Sequence, residues 1–350
     1  MPKAPTRLIL LCAMLVALAA SVAACGSDSS SSSSSSESSS SSSSSSASIP
    51  AKPESGTFRM GIEPWLGYGP WHIAQSKGYF QQNGLDVKIT NFETDDQINS
   101  AFASGKLDGT NIATHTALRF AAAGLPIKIV LLEDESLKAD AILSGPDVTS
   151  IKDLKGKKVA YEEGTTSDIL LSYALAHNGM SKQDIQPVPI PAADAGSAFI
   201  AGKVPVAVTY EPYLTTALKQ NKDAKLLYTA GEDPGLVSDV FVVSEDTLNN
   251  KPGQIAALIK TWGQSVDYYN NNKKDAQAII SKAVGAKPGE LTTAFDGVKF
   301  YSLADNKDQL GGSFVNQTIE DVKKAATDAG LLEGDVNPSD IVVAKFVQGG

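Results

Sequence analysis

Cysteine is nearly absent from this chain: two in 350 residues, Cys12 and Cys25. Histidine is scarce too, at three. So small a stock excludes a disulfide scaffold and can build little of a metal site. No Walker-type glycine loop, no GxGxxG after a strand and no HExxH occurs, which removes the usual phosphate, dinucleotide and metalloprotease signatures. Bases are in deficit, 30 Lys and Arg against 39 Asp and Glu, with a formal charge of −9 and a pI near 4.9. A nucleic-acid partner would need the clustered positive charge that is missing here. Ser, His and acidic residues are present, but no spacing marks a nucleophile–base pair. An enzyme is therefore a rival reading, and a structural or adhesion protein is another. Neither a cofactor nor a bound metal is expected.

What is present begins at the N-terminus. Lys3 and Arg7 precede a short apolar stretch, Leu8–Ala20, followed by small residues. It is short for a bilayer span and has the form of an export signal covering residues 1–24. The segment VAAC, Val22 to Cys25, looks like a bacterial lipobox that would make Cys25 the acylated first residue. Cys12 would leave with the signal, so Cys25 would be the only thiol remaining, and lipidation gives that thiol a purpose. Residues 25–56 are dominated by serine. A tract with so little to bury is expected to be a disordered tether, reaching on the order of 30 Å. The expected location is the extracytoplasmic face of the cell membrane, held by a lipid anchor, with the folded body starting near Thr57.

From Thr57 the chain alternates between β-like and helix-like runs. TFRMGI, LDVKITNF, LDGTNIA, PIKIVLLE, AILSG, KKVAYEE, QPVPIPA, PVAVTYE, AKLLYTA and VFVVSE read as strands. Helical stretches fall between most of them, closed by Gly84, Gly105, Gly124 and Gly179, and Thr94 with Gln97 has capping-box spacing. Such alternation predicts parallel sheet built from βαβ units. After about residue 245 the pattern becomes helical only. The expected class is α/β with two Rossmann-like lobes, a ligand cleft and hinge, and a helical C-terminal section. Lobe 1 is expected over 57–143 and 241–350, and lobe 2 over 144–240. The crossings fall near Ala141–Gly145 and Val240–Ser244.

Four segments carry a family resemblance: WLGYGPWHIAQSKGYFQQNGLDV, FASGKLDG, IKDLKGKKVAYEEGTTSD and ADAGSAFIAGKVPVAVTYEPYLTTA. With them the chain resembles the solute-binding proteins of the nitrate, aliphatic sulfonate and taurine ABC importers, a family that also holds thiamine-pyrimidine-precursor binders. The resemblance implies a type II periplasmic-binding fold that closes on a small solute and hands it to a permease and its ATPase. It implies a monomeric receptor and no catalysis. The pyrimidine-synthase branch of the group carries a cysteine-rich motif that this chain does not have.

Ligands of open α/β sheets bind outside the carboxyl ends of the strands. After the first strand come Glu63, Trp65 and Tyr68, and the glycines of that turn are expected to bring backbone close to a ligand. Trp65 is expected to wall the pocket, while Trp71 lies in the core of the following helix. His72 is expected on a helix surface, and His177 at a helix end. Thr114 and His115 open a helix and could supply donors. The fourth strand is followed by Glu133, Asp134, Glu135 and Ser136, then Asp140. The later strands end in Glu162, Glu163, Gly164, Thr165 and Thr166, and in Tyr210, Glu211 and Pro212. Asp239 precedes the return crossing. Trp65, Tyr68, Thr114, His115, Asp134, Glu163, Gly164, Thr165, Thr166, Tyr210, Glu211 and Asp239 are thus the candidate ligand-binding residues. Their acids suit an amine or guanidinium group, their helix starts suit an anion, and a zwitterion could use both. Each acid could equally be a solvated rim residue.

Overall fold

The computed structural model describes residues 49–348. The signal peptide, Cys25 and most of the serine tract lie outside the described residues. The first sheet takes β1 (Thr57–Ile62), β2 (Asp86–Asn91), β3 (Gly109–Ala113) and β4 (Ile127–Ser136). The second takes β5 (Asp140–Ser144), β6 (Lys158–Tyr161), β7 (Gln186–Pro189), β8 (Val206–Tyr210) and β9 (Lys225–Thr229). The chain then returns to the first sheet through β10 (Ser238–Ser244) and, much later, β11 (Val298–Phe300). The orders are β11-β4-β10-β3-β1-β2 and β7-β6-β8-β5-β9.

Helices follow most strands: α1 (Gly69–Lys77), α2 (Tyr79–Gln82), α3 (Asp95–Ala103), α4 (Thr114–Ala122), α5 (Thr166–His177), α6 (Ala192–Ile200) and α7 (Tyr213–Gln220). The helical C-terminal section contains α8 (Glu245–Asn250), α9 (Pro252–Asn271), α10 (Lys273–Ala283), α11 (Leu303–Leu310) and α12 (Ile319–Asp328). The α/β class expected from the alternation is the class observed.

Strand periodicity decides which layer each residue joins. In the second sheet Ile142, Val159, Val206 and Val208 face the main core, which continues into the first sheet. Their neighbours Ala141, Leu143, Ala160 and Ala207 point the other way, into a smaller core with Ala195 and Phe199 of α6 and Leu214 and Ala217 of α7. That alternation is the period of two of a pleated strand. β10 lies between β3 and β4 and is apolar on both faces, as an interior strand must be. In α12 the spacing of Ile319, Val322 and Ala326 gives one buried face.

Several expectations need correction. The sheets are mixed, since β10 runs antiparallel to β3 and β4, and β5 runs antiparallel to β8 and β9. A strand that arrives from the other sheet enters from the opposite end, so its direction reverses. β5 pairs wholly within the second sheet, which puts the first change of sheet at Leu137–Ala139, ahead of the expected Ala141–Gly145. The second change precedes Ser238. Strands do not stop at 245, because Val298–Phe300 adds to the edge of β4. EDES is not a loop after a strand: it forms the last four residues of β4, all buried.

Thr94 and Gln97 form no capping box, as the Thr94 side chain makes no cap bond. Gly78, at φ 72, separates α1 from α2 within what reads as one helix. The last residues of the expected tether are bound to the body. The Glu54 carboxylate accepts from the Gly253 and Gln254 backbone N–H groups at 3.0 and 2.8 Å, capping the free donors at the start of α9.

Candidate binding site

A small cavity of about 40 Å³ lies where strand ends from both sheets meet. Its lining comes from the residues after β1, β2, β6 and β7, from the ends of β3 and β8, and from the first residues of β5 and β10. These are the carboxyl ends of the parallel strands and the amino ends of the two crossing strands, which is where the topology leaves main chain uncovered.

Trp65, Tyr68 and Tyr210 give the cavity aromatic surface. Trp65 and Tyr210 meet edge to face with centroids 5.9 Å apart, and Tyr213 continues the contact to Tyr210 at 5.3 Å. Trp65 is fixed from behind, its Nε1–H donating to Asp134 Oδ1 at 3.1 Å. Gly67 makes that bond possible. A Cβ there would lie 2.1 Å from both Asp134 Oδ2 and Trp65 Nε1. The glycine of this aromatic turn thus admits a buried side-chain bond rather than a ligand, which corrects the expected role. Trp71 belongs to the core as expected, 5.0 Å from Trp262 and donating to Glu133 Oε1 at 2.6 Å.

Glu63, Asp95, Asp140, Glu162 and Asp239 bring five carboxyl groups to the lining, which includes no Lys or Arg. Burial pushes Asp140 up to about 8, with repulsion from Asp239, Glu211 and Asp95 adding to it and a Ser136 hydrogen bond opposing it. Burial likewise pushes Asp239 up to about 7, against hydrogen bonds from Tyr68, Asp134 and Trp65. Asp95 is held at about 7 by burial and by the charges of Glu162, Asp239 and Asp96, with Arg119 pulling it back. Burial and the same neighbours lift Glu63 well above the usual carboxylate range. Glu162 is raised by burial although its Oε2 accepts from the Ala192 N–H at 2.9 Å. The largest cause of every shift is burial, to which neighbouring carboxylates add at Asp140, Asp95, Glu63 and Glu162.

The start of α5 supplies the hydroxyl side of the lining. Thr165 caps that helix, accepting from Ser167 N–H at 3.3 Å while its hydroxyl donates to the Glu162 carbonyl at 2.9 Å. Thr165, Thr166 and Ser167 all line the cavity.

Six of the twelve expected residues are brought together here: Trp65, Tyr68, Thr165, Thr166, Tyr210 and Asp239. The other six are placed elsewhere. Thr114 is buried and bonded to Ser238 at 2.8 and 3.0 Å. His115 is fully buried, and burial, with Arg119 nearby, lowers it to about 3, so it is neutral. Asp134 sits behind Trp65. Glu163 is exposed, and Gly164 turns its carbonyl to the Arg119 guanidinium. Glu211 caps α7, accepting from the Thr215 N–H and hydroxyl at 3.0 and 2.9 Å. His72, expected on a surface, is 8% exposed and lowered by burial to about 4. His177 closes α5 as expected, stacked on Tyr173 at 3.9 Å. Asp95 was not singled out because it reads as an ordinary first-turn acid of α3. Its position directly after a strand's carboxyl end was the available signal.

The NMT1/THI5 like family pattern matches residues 67–276. The chain belongs to that family. A Bacillus subtilis (strain 168) protein named for binding aliphatic sulfonates is 26% identical over 230 residues, covering 64% of this chain and 68% of its own. A 4-amino-5-hydroxymethyl-2-methylpyrimidine phosphate synthase of Saccharomyces cerevisiae is 26% identical over 227 residues, covering 61% of this chain and 66% of its own. The crystal structure of the periplasmic aliphatic sulphonate binding protein of Escherichia coli superposes with a TM-score of 0.69 at 19% identity, over 84% of this chain and all of that one. The two-sheet α/β architecture is thus that of the periplasmic binding proteins.

Proposed function

We propose that the protein is the extracytoplasmic receptor of an ABC importer, capturing a small nitrogen- or sulfur-containing solute in the cavity between its two sheets. The carrying observation is the cavity itself, built from strand ends of both sheets and walled by Trp65, Tyr68 and Tyr210. Only two main-chain links separate the sheets at the cavity, Leu137–Ala139 and the segment before Ser238. On this reading they act as the hinge of two lobes, the first sheet with the C-terminal helices and the second sheet with α5 to α7, which close on the solute. Trp65, Tyr68, Thr165, Thr166, Tyr210 and Asp239 touch it, while Asp134 positions Trp65. Cys25 is the lipid attachment point, and the partners are a membrane permease and its ATPase. The receptor works as a monomer.

The protein turns nothing over on this reading. The likeness to a yeast synthase favours a second possibility, but the two cysteines, Cys12 and Cys25, both precede the folded body and form no cysteine-rich motif. A thermal-shift screen of the purified chain tests the proposal, with amines, guanidines, ureas, alkanesulfonates, nitrate, taurine and hydroxymethylpyrimidine as solutes. A receptor is stabilised by one class through mass action, and Trp65→Ala abolishes that stabilisation. A shift that survives Trp65→Ala would remove the cavity as the site.

A further inference from the structure

We infer that the cavity is a cation pocket: it takes a compact head bearing N–H groups, an ammonium, amidinium or guanidinium, on Asp140 and Asp239, and it rejects simple sulfonates and nitrate. This rests on the receptor reading and names its solute class.

Two independent observations carry it. The first is the wall, where carboxyl groups from β1, α3, β5, the end of β6 and β10 converge without a basic side chain. The second is Asp140, which is 6% exposed, lines the cavity, and has an Oδ2 with no hydrogen-bond partner. Its backbone N–H is already engaged by Ser136 Oγ at 2.9 Å. A buried carboxyl oxygen without a donor is unfavourable, and among the cavity-lining residues Asp140 carries one. An N–H from the solute supplies what the fold leaves out. Asp134 Oδ2 is also without a partner, but it lies behind Trp65 and Gly67.

The features that would attract an anion are already engaged. The Gly164 N–H before α5 donates to Asp168 Oδ2 at 2.9 Å, and Asp168 is held in turn by Lys182 at 2.9 Å. Arg119 acts on Asp95, and its guanidinium donates to the Gly164 carbonyl. His115 carries no charge at neutral pH. A sulfonate would therefore meet five carboxyl groups and the hydroxyls of Thr165, Thr166 and Ser167, with no cation facing it. An organic cation would meet those carboxylates and the rings of Trp65 and Tyr210, which attract cations on their faces.

Binding is also linked to protons. Asp140, Asp239, Asp95, Glu63 and Glu162 share the lining with Tyr68 and Tyr210, Tyr213 feels the charges of Glu63 and Glu162, and Arg119 acts as counter-charge on Asp95. Burial, with repulsion from neighbouring carboxylates added at Asp140 and Asp95, keeps protons on the cluster near neutrality. A bound cation displaces them, so affinity rises with pH and protons are released.

The test compares probes of matched size on the full chain by thermal shift and calorimetry. Methylguanidinium and propylammonium are the cations, methylurea the neutral isostere, tetramethylammonium the cation without N–H, and propanesulfonate and nitrate the anions. The expected result is stabilisation by methylguanidinium or propylammonium alone. Binding should be stronger at about pH 8 than at about pH 6, with proton release seen in buffers of different ionisation heat. Asp140→Asn and Asp239→Asn should each weaken it ~10-fold or more. Stabilisation by the anions with the cations silent overturns the cation pocket and leaves the receptor reading standing. Equal shifts from methylurea or tetramethylammonium overturn the requirement for charge or for N–H. Binding unchanged in both variants overturns the assigned residues. Silence from every probe overturns both readings.

Discussion

The end of β4 and the wall of the cavity are both acidic, and they use their carboxyl groups in opposite ways. In β4, each acid of Glu133, Asp134 and Glu135 faces a donor from another part of the chain: Trp71 at 2.6 Å, Trp65 at 3.1 Å and Tyr301 at 2.8 Å. These aromatic N–H and O–H donors let a buried strand carry acids. In the cavity, Asp140 Oδ2 has no partner, and the wall offers no basic side chain. In β4 each acid has one oxygen engaged from within, while Glu133 Oε2 and Asp134 Oδ2 stay unpartnered away from the cavity lining. The cavity wall is set up for a donor from outside. Charge alone does not separate a structural acid from a binding acid; a place in the cavity wall does.

The comparison can be broken most severely from the structural side. Trp71→Ala removes a fully buried ring packed on Phe80, Phe241 and Trp262, and leaves Glu133 without its donor. A loss of about 3–5 kcal/mol is expected from the cavity alone, read as a fall in the denaturant midpoint. A change within experimental error would mean that the β4 acids need no aromatic donor.

Gly67→Ala should come next, at about 1–3 kcal/mol, because its Cβ would overlap Asp134 and Trp65. The same variant should raise the exposure of Trp65, seen as a red shift of fluorescence. Unchanged stability and an unchanged spectrum would show that Trp65 is held by something other than Asp134.

Asp140→Asn acts in the opposite direction. Asp140 is held near 8 and Asp239 near 7 in the folded chain, against about 4 when unfolded. The folded chain keeps protons that the unfolded chain has lost. The contribution of these two groups to ligand-free stability is therefore fullest below about pH 4 and is lost as pH rises through 7 to 8. Asp140→Asn should flatten that decline and raise stability at about pH 8 by about 1–2 kcal/mol. Unfolding curves at several pH values decide the point, and a steeper decline in the variant would contradict it.

The smallest effect belongs to Glu163→Gln. Glu163 is exposed beside the cavity without lining it, so stability should change by less than about 0.5 kcal/mol. Solute binding should not change. A large loss of binding in this variant would show that the rim takes part after all.

How legible the molecule is in its sequence varies with the range of the interaction. Ten strands were readable because Val, Ile and Tyr runs are bounded by Gly, Pro and polar residues within a few positions. β11 was not, since three residues with one apolar face become a strand only through pairing with β4. The rule for strand ends found Trp65, Thr165, Tyr210 and Asp239. It named Asp140 after the fourth strand without carrying it into the candidate set, because Asp140 opens an antiparallel strand and nothing local reveals strand direction. It also selected Asp134 and Glu211, whose partners lie at Trp65 and Thr215.

The sequence by itself determined the acidic balance, the alternation of strand and helix, and the scarcity of cysteine, because those depend on composition and near-neighbour periodicity. Tertiary structure alone decided which acids have donors. Hydrogen-bond partners such as Trp71 and Glu133, 62 positions apart, meet only after the sheets have packed. A carboxyl group's proton affinity follows from the water and charge left around it at that point.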